Sequence, residues 1–477
     1  HESGLFGDMR AAERRDLPSA ARRDPAAVTV PPWYPDTPAV RTCLAARLEL
    51  AAALDRDVGR ILDELEADRL ADDTIVFFWS DHGEGVPHGK RSLTEHGLRV
   101  PLVVRVPPRF RAGARLPGGA APAGATANLV SLLDLGPTAL RLAGVEPPAW
   151  MEGTPFLGQG VRQRDLVIGA RDRMDALPGF GRTVRDARFR YVRNFLPWLD
   201  GDDLPDYATG VPITGALRDA RQAGTLPPGA AWFARTTRPP DELHDLVADP
   251  EELADVTADP ARGADLERLR DALVAWMRDT RDAGLLPEPI LRREARAAGS
   301  EQAIFHPPDA ADAARAQARY DAILAAAWAV ADGRDAAHFR LLLGHGDPAV
   351  RWWAASGAGW ATRRGGGDVT ALLAPLLVDT EPAVRIAAAT WLLRCGTETA
   401  ADDARAVLAR EMASGDRDVR LAALVAIDEL GPATRQLWPS AAALELGKDE
   451  EYSRRTVERI RRRLDPGAGV GPGVSPE

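Results

Sequence analysis

Apolar residues recur at steps of three and four positions between residue 39 and about residue 70. This period is typical of a helix that buries one face. Asp36 or Thr37 can cap such a helix, and Pro38 suits its first position because proline lacks the amide hydrogen that would stay unbonded there. The pattern therefore predicts a long amphipathic helix.

A continuous run of β-branched and aromatic residues follows, from Thr74 to Trp79. Such a run is typical of a strand covered on both faces, and the long helix before it predicts a parallel α/β sheet. A second run extends from Leu102 to Val106. Residues 129–142 are expected to form a helix that is interrupted near Gly136 and ends at Gly144.

Residues 150–285 contain weaker strand signals at LVIGA and FRYVRNF, followed by the pattern of an amphipathic helix from about 264 to 280. Together these signals predict a smaller α+β portion. Beyond residue 330 a Val-Arg pair recurs at 350/351, 384/385 and 419/420. This period indicates stacked helical pairs. We expect each repeated arginine to pair with an Asp of a neighbouring repeat, and the nearby tryptophans to lie in the core.

The overall composition narrows the function classes. A chain of 477 residues with 45% hydrophobic and 27% charged residues is long enough for several globular domains. A net charge of −10 without a basic tract argues against nucleic-acid binding, and no apolar run reaches the roughly 18 residues of a membrane span. Cys43 and Cys395 are the two cysteines, so neither a disulfide framework nor a cysteine-based zinc site is expected.

Asp81 and His82 stand directly after the first predicted strand. Catalytic and binding groups of parallel α/β sheets gather beyond the carboxyl ends of strands. An adjacent carboxylate and imidazole can both bind one divalent cation when the chain turns sharply, and Gly83 permits that turn. The alternative is a local Asp turn with a surface histidine.

The following loop carries three of the eight histidines, His82, His88 and His96, and also Lys90. Among 60 basic residues Lys90 and Lys448 are the two lysines. A compact ammonium suits a single anionic oxygen better than the planar fork of arginine, although a solvated loop lysine is the alternative. Together these residues indicate a cation and ammonium site for a tetrahedral oxyanion ester.

The segment ALDRDVGRILDELEADRLADDTIVFFWSDHGEGVPHGKRSLTEHGLRVPLVVRVP resembles the C-terminal half of the sulfatase catalytic domain, within the alkaline-phosphatase-like superfamily. SLLDLGPTALRLAGVEPP and DELHDLVADPEELADV resemble later segments of that family, so the resemblance covers roughly residues 1–285. WYPDTPAVR, the VPHGKRSL loop and FRYVRNFLPW are most similar to the heparan N-sulfatase (N-sulfoglucosamine sulfohydrolase) branch.

The resemblance implies roles for individual residues. Asp81 and His82 match the family's second pair of metal ligands, and Lys90 matches the basic residue that contacts the sulfate group. His1, in HESG, matches a histidine that faces the substrate. The implied cofactor is one divalent metal ion, by family habit Ca²⁺, with Mn²⁺ or Zn²⁺ open because imidazole is a softer ligand than calcium prefers.

The sequence also departs from the family pattern. In the family's Lys-x-x-x-Tyr-Glu pattern, Thr94 replaces the tyrosine and Glu95 keeps the acid. The family nucleophile lies in C-x-P-S-R or S-x-P-S-R, and neither Cys43 nor Cys395 stands in such a motif. We therefore expect the nucleophile and the other metal ligands to lie upstream of His1, and the chain by itself to be inactive.

The predicted fold class is α/β: the C-terminal part of an alkaline-phosphatase-like sulfatase domain with a smaller α+β subdomain, followed by an all-α solenoid that resembles HEAT repeats. The expected limits are 1–150 for the truncated catalytic domain, 151–285 for its subdomain, 286–333 for a connector, 334–465 for the repeats and 466–477 for a flexible tail.

The predicted function is metal-dependent hydrolysis of a sulfuric ester or N-sulfamate on a sulfated sugar. One alternative is a phosphodiester or phosphonate monoester hydrolase of the same superfamily, and the other is a non-catalytic HEAT-repeat scaffold. The expected partners are a sulfated small molecule or glycan and a protein bound by the repeats, with no nucleic acid and no membrane. The resemblance implies a periplasmic or secreted location.

Overall fold

The computed structural model describes residue 18 and residues 21–120, 124–204 and 206–464. His1 lies outside the described residues, so its predicted role stays a prediction. The strands are β1 (Val76–Trp79), β2 (Leu102–Arg105), β3 (Val167–Met174), β4 (Leu177–Arg185), β5 (Phe189–Asn194) and β6 (Asp241–Asp245). The helices are α1 (Pro38–Ala67), α2 (Glu95–Leu98), α3 (Leu135–Leu142), α4 (Asp206–Thr209), α5 (Pro212–Ala223), α6 (Ala231–Ala234), α7 (Gly263–Thr280), α8 (Glu288–Ala298), α9 (Ala310–Ala331), α10 (Ala336–Phe339), α11 (Pro348–Gly365), α12 (Thr370–Leu373), α13 (Pro382–Cys395), α14 (Glu398–Met412), α15 (Arg417–Leu430), α16 (Trp438–Ala442) and α17 (Glu451–Leu464).

The long helix α1 begins where the sequence predicts. The Thr37 hydroxyl accepts a hydrogen bond from the amide of Val40 at 3.2 Å, and Pro38 occupies the first helical position. Asp36 has another role: its carboxylate binds the Arg41 guanidinium through two hydrogen bonds of 2.6 and 2.7 Å. The predicted helix is therefore confirmed, with Thr37 as its cap.

The two predicted strands β1 and β2 form, but they pair antiparallel, with Val76 opposite Arg105. The predicted parallel pairing was wrong for these strands. A parallel connection needs a crossover, usually a full helix. Here the linking segment contains the single helical turn α2 and folds back, so that the Gly83 amide donates to the Gly97 carbonyl at 2.9 Å. The prediction that the first strand is covered on both faces was also wrong, since the Trp79 side chain is 45% exposed.

A four-stranded antiparallel sheet in the order β3-β4-β5-β6 follows. It includes both strands that the sequence predicts, and the predicted helix near residues 264–280 is α7. The sequence signals miss β4, where Gly179 and Gly181 break the apolar pattern. A Cβ at position 181 would lie 2.7 Å from the Leu93 Cδ1, so this glycine allows the loop after β1 to pack on the sheet.

The C-terminal half is helical and repeats one arginine contact. Arg351, on α11, donates to the Asp379 carboxylate at 2.7 Å. Arg385, on α13, donates to Glu411 at 2.8 Å, and Arg420, on α15, donates to Glu450 at 2.7 Å. The predicted Asp partner is confirmed for Arg351 and was wrong for Arg385 and Arg420, which pair with Glu instead. These pairs tie successive helical layers together.

The sheet and the repeats share one hydrophobic core. Phe180 on β4 meets Trp353 on α11 edge to face at 5.4 Å, and the Trp353 indole donates to the Leu285 carbonyl at 3.0 Å. Trp353 and Trp391 are buried, as predicted for the repeat tryptophans. The mixed α/β first half followed by helical repeats confirms the predicted fold class. Among the described helices, none has the length and apolarity needed to cross a bilayer.

Candidate functional site

The loop between β1 and β2 is compact because its backbone segments touch. A Cβ at position 83 would lie 1.9 Å from the His96 carbonyl oxygen, and one at position 97 would lie 2.2 Å from that of Ser92. A Cβ at position 89 would lie 2.2 Å from the Glu84 carbonyl oxygen. Glycine at position 83 thus lets two backbone segments approach closely, and this contact fixes the conformation of the loop.

A buried ion pair anchors this loop to the four-stranded sheet. The Glu95 carboxylate pairs with Arg185 at 2.9 Å and with Arg190, and the Glu95 amide donates to Glu252. Arg190 also pairs with Glu252 at 2.8 Å. Glu95 is the acid retained from the family pattern, and its carboxylate holds the loop through its partners on β4 and β5.

The opposite end of the loop is held by Tyr34, whose hydroxyl donates to the Pro87 carbonyl at 2.5 Å. Burial raises the pKa of the Tyr34 hydroxyl far above its ordinary value, so it stays protonated and keeps donating. His88, one residue further, adopts a left-handed backbone with φ of 71°. Such strained residues persist where the surrounding contacts over-determine them.

The loop forms one wall of a cleft of about 1540 Å³, which we call the outer cleft. This volume exceeds the roughly 300–1,000 Å³ of a typical small-ligand pocket. Asp81, His82 and Lys90 all line it, and the three predicted site residues within the described chain therefore share one cavity. The other walls include Trp33, Tyr34, Arg47, Leu50, Leu54, Pro250 and Glu251.

The tautomer of His82 follows from its hydrogen bond. Its Nδ1 lies 2.7 Å from the Gly83 carbonyl oxygen, which can only accept, so Nδ1 carries the hydrogen. The Nε2 atom lies 3.5 Å from the Asp81 Oδ2. An imidazole nitrogen and an exposed carboxylate oxygen at this separation fit two positions around a divalent cation. Within the described ranges no three His, Cys, Asp or Glu side chains group as a metal site, so this pair would need further ligands.

The two other loop histidines belong to an aromatic cluster. His96 contacts Trp33 at a centroid distance of 4.3 Å, and His88 stacks on Trp232 at 5.0 Å. Burial, together with the neighbouring His96, lowers the pKa of His88 to about 3. His88 is therefore neutral at physiological pH. The clustering of histidines in the sequence reflects this packing as much as any ligand role.

Sequence reasoning missed several residues of the outer cleft. Arg47, on α1, pairs with Glu84 of the loop at 2.6 Å and closes one side of the cleft. Trp33 and Tyr34 come from the segment before α1. The aromatic pair in PPWYPDTP was a usable signal, whereas Arg47 is one arginine among many and carries no local signal.

Comparison with known proteins finds two family models that match this chain. The family model described as Sulfatase matches residues 16–145, and that of HEAT repeats matches residues 336–428. An ulvan-active sulfatase of Formosa agariphila is 32% identical over 264 residues, covering 55% of this chain and 42% of the relative. The human N-sulphoglucosamine sulphohydrolase is 30% identical over 298 residues, covering 57% of this chain and 55% of the relative.

An N-acetylglucosamine-6-O-sulfatase of Bacteroides thetaiotaomicron is 35% identical over a shorter stretch of 111 residues, which is 22% of this chain and 18% of the relative. The chain thus spans about half the length of the first two relatives. The matched segment includes β1, the loop with Asp81, His82 and Lys90, and β2. Residues 16–145 are therefore similar to the sulfatase family, and residues 336–428 are similar to HEAT repeats.

Proposed function

We propose that this chain provides the sulfate-binding and part of the metal-binding wall of a hydrolase that cleaves sulfate esters or N-sulfamates on a sulfated sugar. The observation that carries the proposal is the shared cleft of Asp81, His82 and Lys90. The names of the relatives support a sugar substrate, since they refer to ulvan and to sulfated glucosamine derivatives.

In this proposal the Lys90 ammonium donates hydrogen bonds to a sulfate oxygen, and the charge on both partners strengthens them. Asp81 Oδ2 and His82 Nε2 would hold a divalent cation, of which Ca²⁺ is the first candidate and Mn²⁺ or Zn²⁺ the others. Such an ion, when bound, would supply positive charge for the developing oxyanion. The hydrogen bond from His82 Nδ1 to Gly83 orients the ring for this task, as outer partners commonly do for ligating histidines.

The chemical step needs a nucleophile, and no C-x-P-S-R or S-x-P-S-R motif occurs in the 477 residues. Burial raises the pKa of the Cys43 thiol, and the pKa of Cys395 is raised to about 11, so both stay protonated and are poor nucleophiles. We therefore propose that this chain binds the sulfated sugar without releasing sulfate. The repeats would contact a separate protein partner.

The two lysines make a direct test possible. Lys448 is exposed, whereas Lys90 lies in the outer cleft, so acetylation by a water-soluble reagent followed by mass spectrometry reports on both sites in one sample. Glucosamine N-sulfate is expected to slow acetylation of Lys90 and to leave Lys448 unchanged. EDTA should reduce this protection if a divalent cation helps to bind the sulfate.

Glucosamine 6-phosphate and unsulfated glucosamine are the control ligands for glucosamine N-sulfate in this experiment. Protection of Lys90 by the phosphate ester alone would favour the phosphorus-ester alternative. Equal acetylation of Lys90 with and without each sugar would contradict the sulfate-binding proposal and leave a scaffold function. Protection of Lys90 and Lys448 together would indicate a nonspecific effect and also count against the proposal.

A further inference from the structure

A second cavity lies behind the loop that carries Lys90. It has a volume of about 170 Å³, and we call it the inner cavity. Its floor is formed by residues of the four-stranded sheet, and its far wall by residues 201–204 and 229–238. His88 and Lys90 line both the inner cavity and the outer cleft, so the two spaces adjoin at the residue proposed to hold sulfate.

Arg238 lines the inner cavity and carries a charge that no carboxylate in the described chain contacts directly. The nearby Glu242 is already engaged: it accepts from Arg235 at 2.6 Å and from Asn194 at 3.0 Å. Burial lowers the pKa of Arg238 in spite of the charges of Asp203 and Glu242. A half-buried guanidinium without a contacting anion is costly unless another group provides the counter-charge.

Two further groups in the same cavity have unmet hydrogen-bonding capacity. The Trp232 Nε1 and one carboxylate oxygen of Asp203 are buried, and neither has a hydrogen-bond partner among the described residues. Buried polar atoms of this kind are rare in folded proteins and call for an explanation such as a ligand or an ion. A donor, an acceptor and a cation therefore line one small space.

The charge and size of the inner cavity define what could fill it. Five cationic side chains line it, against three carboxylates, among the residues that the structure describes. Of these carboxylates, Glu242 pairs with Arg235 and Glu252 with Arg190. The volume is below the roughly 300 Å³ of the smallest typical ligand pockets, so it fits a substituent better than a second sugar ring.

We propose that the inner cavity binds a second anionic group of the same sugar, a sulfate or a carboxylate, while the first sulfate lies at Lys90. Arg238 and the Trp232 indole would donate to this group, and the Asp203 carboxylate would accept from an adjacent hydroxyl. This inference rests on the proposed function and narrows the substrate to sugars with at least two anionic substituents. Arg238 is then a specificity-determining residue.

Calorimetric titration of the full 477-residue chain tests the inference with three ligands. Glucosamine N-sulfate has one anionic group, glucosamine N,6-disulfate has two sulfates, and an N-sulfated disaccharide with a uronic acid supplies a carboxylate instead. The chain is expected to bind at least one of the two doubly anionic ligands about tenfold more tightly than it binds glucosamine N-sulfate. A gain in affinity of this size is what one charge-assisted hydrogen bond can provide. Which one binds more tightly distinguishes sulfate from carboxylate.

Arg238→Gln is expected to abolish this tenfold preference and to leave the affinity for glucosamine N-sulfate unchanged. Arg315→Gln, at a side chain that is 73% exposed and lines neither cavity, is the control for loss of one positive charge. An equal preference in the parent and in Arg238→Gln, or no preference in the parent, would overturn the inference. Lys90→Ala should weaken the binding of all three ligands. If it weakens the binding of none of them, the proposed function fails instead.

A melting curve guards against a folding defect. Arg238→Gln removes a half-buried charge that no described carboxylate contacts, so the variant should melt at or above the temperature of the parent. If it does not fold, Trp232→Phe provides the second test, because it removes the indole donor and keeps the aromatic contact with His88. Trp232→Phe is expected to reduce the preference for the doubly anionic ligand about threefold, as expected for loss of one hydrogen bond. An unchanged preference would contradict the inference.

Discussion

His88 illustrates how burial fixes the protonation of a single side chain beside the cleft. It stacks on Trp232, and the desolvation that accompanies this packing lowers its pKa to about 3. The unfolded chain, with an ordinary histidine pKa of about 6.5, takes up a proton as the pH falls, whereas the folded protein does not. The contribution of His88 to stability is therefore complete above pH 6.5 and declines below it.

We expect the unfolding free energy of the parent to fall as the pH is lowered from 6.5 to 5, with His88 accounting for up to about 2 kcal/mol of that decrease. His88→Asn should remove this part of the pH dependence, and Asn tolerates the left-handed backbone at this position. Urea unfolding at several pH values measures the effect. Exposed His338→Asn is the control, and an equal pH dependence in the parent and in His88→Asn would count against this account.

At the scale of elements, the decisive contact joins the loop between β1 and β2 to the sheet. Glu95 begins α2, and its carboxylate is buried between Arg185 of β4 and Arg190 of β5. The sequence identifies Glu95 as part of a family pattern, but its partners lie about 90 residues further along the chain. Local periodicity carries no information about such a pair.

Glu95→Gln is expected to destabilise the protein by about 3 kcal/mol, because it leaves the buried Arg190 with less counter-charge. The same change should increase hydrogen exchange of the amides between β1 and β2, where the loop would open locally. Glu251→Gln, at a 50% exposed carboxylate that pairs with His96, is the matched control and should cost less than about 1 kcal/mol. Equal stability of the two variants would show that the buried pair does not anchor the loop.

For the whole molecule, the sequence predicted the parts with local patterns and missed those that depend on distant contacts. The helix α1, the helix α7 and the repeated Val-Arg pairs follow from periodicity within short windows. The antiparallel pairing of β1 with β2 could not be predicted because it depends on how the intervening loop folds back. The inner cavity was equally hidden, since Lys90, Asp203 and Arg238 meet only in the folded chain.

The four-stranded sheet connects the site with the repeats. On β5, Arg190 binds Glu95 of the loop, and Arg193 pairs with Asp332 after α9 at 2.5 Å. Phe180 on β4 packs against Trp353 of the repeats. The outer cleft, the inner cavity and the first repeat are therefore supported by one sheet, and the sulfate-binding wall is held by a core that the repeats help to form.

The affinity for glucosamine N-sulfate, measured by calorimetry in the parent and in two lysine variants, tests the central claim most directly. Lys90→Ala should weaken binding at least tenfold, roughly the value of a lost charge-assisted hydrogen bond, and Lys90→Arg should restore part of it. Lys448→Ala removes the other lysine of the chain and should leave the affinity for glucosamine N-sulfate unchanged. Equal affinities for the parent, Lys90→Ala and Lys448→Ala would contradict the account, because the sulfate group would then bind elsewhere.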